Sequence, residues 1–191
     1  MKRLLCCLAL LLAFALHAQD FASKLVPLID PSKLATIGPR GANPRIQKCV
    51  YWLEQARLAG QNPTNVVHET AVNAGYKKAA AALTEQSLLR NLDIATKLGC
   101  LDEAGLAKMR RGGSPVVHKG PYAGDIASVD HIIPRAVVPE LDNVIANLEL
   151  LPLKLNESKN SKIGDRQRDM AKRFHAAGLL SDAGLRAVQS H

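Results

Sequence analysis

The sequence predicts an α+β fold that is mostly α-helical, with one small strand–loop–strand–helix insert among about six flanking helices. Three observations lead there. Apolar residues recur at helical spacing through 44–98. That period vanishes between Gly112 and Gly124, where glycine and proline cluster. Two apolar runs of strand length, 126–133 and 148–155, then precede a return to helical spacing over 165–189.

The first residues stand apart from the fold. Met1-Lys2-Arg3 is a short basic start, residues 4–16 are unbroken apolar, and Ala18 leads into the polar Gln19-Asp20. That order is the pattern of a secretory signal peptide over 1–18, so export to the periplasm or the medium is expected. The apolar run is too short to cross a bilayer, which takes about 20 residues. A retained short anchor is the alternative, since Leu16 is bulky for the position three before the cut. Cys6 and Cys7 lie too early for a lipidated cysteine.

Cleavage after Ala18 would remove Lys2 and Arg3 and lower the net charge from +8 to +6. This moderate excess suits a polyanionic partner without requiring one. Cys49 and Cys100 would remain. In an exported chain they could form a disulfide worth roughly 3–4 kcal/mol. Two buried thiols on separate helices fit as well. No Cys-x-x-Cys pair exists, which excludes a zinc ribbon or a thioredoxin-like motif.

Prolines 27, 31 and 39 and glycines 38 and 41 mark 19–43 as an irregular N-terminal arm. The helical region spans 44–111. Its first helix carries Ile46, Val50, Leu53 and Ala56 on one stripe and stops near Gly60. Asn62 reads as an N-cap before Pro63 at the first helical position of a second helix reaching Gly75. A third, over 77–98, ends at Gly99. The stretch Gly99-Cys-Leu-Asp-Glu-Ala-Gly-Leu is echoed by Gly178-Leu-Leu-Ser-Asp-Ala-Gly-Leu. Repeated capping chemistry, with Asp102 and Ser181 as caps, explains the echo better than duplication.

The insert, 112–164, carries the chemistry; 165–191 holds C-terminal helices. Asp130 and His131 sit where Pro134 soon ends the first strand, so both side chains can be aimed at one site. Asn147 follows sixteen residues after His131, in Asn147-Leu148-Glu149-Leu150-Leu151-Pro152, and Asn156 nine residues later, in Asn156-Glu157-Ser158-Lys159-Asn160-Ser161-Lys162. Singly, each is ordinary turn or strand chemistry.

Together, over 129–164, they resemble the motif of the HNH (ββα-metal) endonucleases, in the variant with asparagine in the third position. The resemblance implies a ββα-metal core over 112–164. It makes His131 the general base and Asp130 and Asn156 the ligands of one divalent ion, Mg²⁺ or Mn²⁺. Asn147 would brace the turn behind His131. Lys159, or Lys162, would neutralise phosphate charge, and Arg135, Lys154, Lys162 and Arg166 would touch substrate. Many members carry structural zinc on two Cys-x-x-Cys pairs, absent here, so this unit must be braced by helices instead.

The implied activity is DNA hydrolysis with little sequence preference, leaving 5′-phosphate and 3′-hydroxyl ends. The expected partner is nucleic acid, with no membrane after signal cleavage and no protein partner implied. RNA, or either nucleic acid, is an alternative substrate. A catalytically inactive nucleic-acid-binding protein and a toxin domain are the other readings. His118, His68 and His175 read as loop or packing histidines. The basic run Arg166, Arg168, Lys172 and Arg173 is either a solvated helix face or a phosphate contact.

Overall fold

The computed structural model describes residues 21–38, 41–159 and 162–191, so the expected signal segment 1–18 lies outside the described residues. Among them helices dominate, and one two-stranded antiparallel sheet is present. In order come α1 (21–29), α2 (Ala42–Leu58), α3 (Pro63–Asn73), α4 (Lys78–Lys97) and α5 (Glu103–Arg110). Then follow β1 (Ala127–His131), β2 (Leu148–Pro152), α6 (Leu153–Lys159), α7 (Asp165–Ala176) and α8 (Asp182–Ser190). No described helix is long and apolar enough to cross a membrane.

The expected irregular arm is structured. Residues 21–29 form α1, and Pro31–Thr36 a 3-10 turn capped by Asp30. Ala22, Leu25 and Ile29 lie on one helical face and are fully buried, which offsets the cost of Pro27 inside the helix. Polar bonds add to this. Arg45 Nε donates to Leu28 O at 2.7 Å, and the Tyr76 hydroxyl donates to Ile29 O at 2.7 Å. Proline density hid a short apolar stripe.

The helices 44–60, 63–75 and 77–98 appear within two residues of expectation. Asn62 caps α3 through the Thr64 N–H. The two echoed segments do the same capping work: Asp102 accepts from Gly105 N at 2.8 Å, and Ser181 Oγ from Gly184 N at 3.0 Å. Both strands are shorter than the apolar runs suggested. Pro152 has no N–H to extend the ladder, so the chain turns into α6 three residues before Asn156.

Cys49 and Cys100 are free, buried thiols. Burial pushes the Cys49 thiol up to about 12 and that of Cys100 to about 11.

Two apolar clusters meet along α4. The larger joins α1 to α5 with the inner faces of both strands through Ile46, Leu53, Leu88, Met109, Leu148 and Leu150. The smaller gathers Ile133, Leu141 and Val144 of the β1–β2 connection against Phe174 and Val188 of α7 and α8.

A lone pair of strands leaves two edges, and side chains of helices together with the backbone at 115–117 contribute partners to them. On the β2 edge, Asn91 of α4 donates to Leu148 O at 3.0 Å and accepts from Leu150 N at 2.7 Å. Ser87 donates to Ile145 O at 2.8 Å. Beside β1, Gln47 of α2 donates to Ala127 O at 2.8 Å, and the Ala127 N–H donates to Pro115 O at 2.9 Å next to the Val116–Ile126 bridge. Buried side chains thus stand in for a third strand on the β2 edge, and share that part with backbone beside β1.

Candidate active site

The strands run in a register that sets Asp130 opposite Glu149 and His131 opposite Leu148. Beyond His131 the chain leaves the ladder and passes through Pro134 to a turn that returns at Asn147. Asn147, fully buried, pins both ends of that excursion. Its Oδ1 accepts from Ile133 N at 2.8 Å, and its Nδ2 donates to Ile133 O at 3.0 Å and Leu141 O at 3.3 Å. The amide serves as a bracket behind His131, so its contribution to any chemistry is positional.

The bracket aims His131 at an open cleft of about 270 Å³, lined by Asp130, His131, Pro134, Arg135, Asn156 and Glu157 among others. His131 Nε2 lies 2.9 Å from Asp142 O and 3.0 Å from Asp142 Oδ1. Both oxygens are acceptors, so Nε2 is the donor to Asp142 and Nδ1 is the ring nitrogen left for another partner. Asp142 thus orients the imidazole, a geometry that general-base catalysis can use. Asp142 had no signal in the sequence: it falls in a turn with no fixed spacing to the motif.

Asp130 lies on the cleft wall. Its Oδ2 meets Lys159 Nζ at 2.6 Å, and the same ammonium donates to His131 O at 3.2 Å. Asn156 commits its amide nitrogen to Ser128 Oγ at 3.1 Å, which leaves its oxygen as the end available to a ligand.

Glu149 is the second residue that sequence reasoning missed. It is 3 % exposed, between two buried leucines in a strand. Two carboxylates facing each other across a strand pair repel, and cations gather around them. Arg166 grips Glu149 in a fork at 2.9 and 2.6 Å, Arg90 Nε lies 3.7 Å away, and Lys159 Nζ 4.0 Å. The fork holds the Arg166 guanidinium firmly in its charged form, while burial lowers that of Arg90.

Of the sequence-predicted residues, Asp130, His131, Arg135 and Asn156 therefore share one cleft, with Lys159 on Asp130 and Asn147 behind. Arg166 reaches the neighbourhood through Glu149. Lys154 and Lys162 are exposed and do not line the cleft. The Lys154 backbone N–H donates to Asp125 at 2.9 Å, which holds that carboxyl below its usual range. His118, His68 and His175 pair with Asp102, Glu85 and Asp182 away from the cleft.

Among the described residues no group of three or more His, Cys, Asp or Glu side chains is placed to hold a metal. The donors in the cleft are hard oxygens, the carboxylates of Asp130 and Glu157 and the amide of Asn156, which suit an Mg²⁺-class ion that keeps water and takes phosphate oxygens as further ligands. Set against known proteins, the chain matches no family model, no curated protein and no solved structure.

Proposed function

We propose that the protein is an exported, metal-dependent endonuclease of the HNH type, built on a ββα-metal core and hydrolysing DNA with little sequence preference. The observation that carries this reading is the shared cleft: a carboxylate-oriented imidazole beside two oxygen donors, Asp130 on its own strand and Asn156 on α6. His131 takes a proton from the attacking water at Nδ1, and Asp142 steadies the imidazolium that forms. Asp130 and the Asn156 oxygen would hold one Mg²⁺ or Mn²⁺. When bound, that ion supplies Lewis-acid relief of the charge that grows on the phosphate and on the leaving 3′ oxygen. Arg135, at the cleft mouth, faces the phosphate from the loop side. Lys159, paired with Asp130, would supply positive charge toward the phosphate.

One observation favours a second reading, a nucleic-acid-binding protein without activity. The Lys159 ammonium already neutralises the carboxylate that a metal would need. A nicking assay separates the two. The purified protein is given supercoiled plasmid in Mg²⁺, Mn²⁺ or EDTA, beside His131→Ala. Metal-dependent cutting that both EDTA and His131→Ala abolish is the expected result, with a loss of about 10³-fold or more. Plasmid and RNA left intact in every metal, with DNA still retarded in a gel, would overturn the nuclease reading in favour of the second.

A further inference from the structure

The cations around Glu149 extend beyond the cleft. Along the seam where α7 packs on α4, Arg90 and Gln86 of α4 face Arg166 and Arg173 of α7. Arg173 Nη2 donates to Gln86 Oε1 at 2.8 Å. Arg166 and Arg173 are both near enough to Arg90 to disfavour its charge. Two guanidiniums, those of Arg90 and Arg166, thus crowd around Glu149, Lys159 stands 4.0 Å from the same carboxylate, and Arg173 joins them from the Arg90 side of the seam. Glu149 sits directly across the ladder from Asp130, so the cluster adjoins the cleft.

Such crowding is unfavourable in the free protein and is relieved when a polyanion supplies the missing negative charge. Buried Glu149 has a definite part. By taking both arms of Arg166 on one side, it sets the fork without cancelling the surrounding charge. Arg173, whose side-chain partners Gln86 and Met170 are both neutral, keeps its full charge at the surface.

From this we infer that the α4–α7 seam is a second phosphate subsite, in which Arg90, Arg166 and Arg173 hold the backbone of a nucleic-acid strand whose scissile phosphate lies in the cleft. The identity of the ligand rests on the proposed reading of the cleft. The subsite itself does not require that the protein cut. Contacts of this kind recognise phosphate and not base, in keeping with weak sequence preference.

Arg173→Gln tests it, because the side chain is exposed and its removal leaves no buried charge unpaired. Affinity for a fluorescein-labelled DNA duplex is measured in EDTA, where no cleavage intervenes, over a series of salt concentrations. Lys119→Gln, an equal change of charge on an exposed turn beside Gly99, is the control. The expected result is about a fivefold weaker Kd for Arg173→Gln. Its log–log salt slope should fall by about 0.9, the signature of one lost phosphate contact. Lys119→Gln should stay at wild type. Equal losses in both variants, or none in Arg173→Gln, would overturn the subsite. Plasmid cutting by the wild type is scored separately. A protein that never cuts yet shows the Arg173 effect would retain the subsite and lose the nuclease reading.

Discussion

The helical body, α1 to α5, and the segment 127–159 are stabilised in different ways. In the body, long apolar side chains fill a common core, and the buried polar groups Glu54 and Thr70 bond within their own helices. In 127–159, single polar side chains carry the geometry: Asn147 pins the turn, Asn91 and Ser87 serve the β2 edge, and Asp142 orients His131. Apolar packing decides which layers meet but tolerates small shifts. A hydrogen bond places an atom to within a few tenths of an ångström. A hydrolytic centre of the proposed kind would need the second kind of order, and the candidate cleft lies in the region that has it.

Truncations in the two regions sharpen that contrast. Asn147→Ala leaves the Ile133 N–H and C=O buried without a partner and takes one of two donors from Leu141 O, which keeps the Val144 N–H, at about 3 kcal/mol by the cost of orphaned groups. Its melting point should fall by roughly 10 °C. Cleavage per folded molecule should fall as well, because the turn behind His131 loosens. Leu53→Ala, fully buried in the body, should cost about 3 kcal/mol by cavity formation. Below its melting point it should cut at the wild-type rate. Equal kinetic damage from both would break the division of labour.

Asn91→Ala removes bonds from one strand edge without touching the cleft. About 2 kcal/mol of stability should go, with KM unchanged and kcat reduced only modestly. Thermal melting and single-turnover cleavage on the same preparation separate the two effects.

The last effect is confined to the body, absent at neutral pH, and appears only in alkali. Burial raises Cys49 to about 12, Cys100 to about 11 and Tyr76 to about 12. A raised folded value means that the unfolded chain loses its proton first. The stabilisation is therefore complete below the unfolded value and is lost as pH rises through the folded one. From about pH 9 upward, denaturant melts should show a decline of up to about 1.4 kcal/mol per pH unit for each group. Cys49→Ala should make that decline shallower. A native protein whose thiols react quickly with a disulfide reagent at neutral pH would contradict the burial.

Much of the site was legible because its residues lie close along the chain. Asp130, His131, Asn147 and Asn156 are spaced by one strand, one turn and one helix start, and local rules of strand and turn carry such spacing. The helices of the body were equally legible from their apolar stripes and caps. Lost from view were the partners that act across distance. Gln47 sits 80 residues from Ala127 and Asn91 59 from Leu150. Nothing in a helix sequence marks one polar side chain as an edge partner for a strand. Glu149 was hidden because alternation along a strand speaks of faces and not of which charges will gather there.

By itself the sequence determined the helical class, the place of the strand pair and the order of the polar residues, since these follow from backbone preference and periodicity within short windows. Only the tertiary structure decided that α1 packs as a helix, that Asp142 orients His131, and that Lys159 and Arg166 close on Asp130 and Glu149. Each of those depends on a contact between distant segments. Whether such a contact forms is set by burial and by the pairing of charge in three dimensions, and neither is written in local spacing.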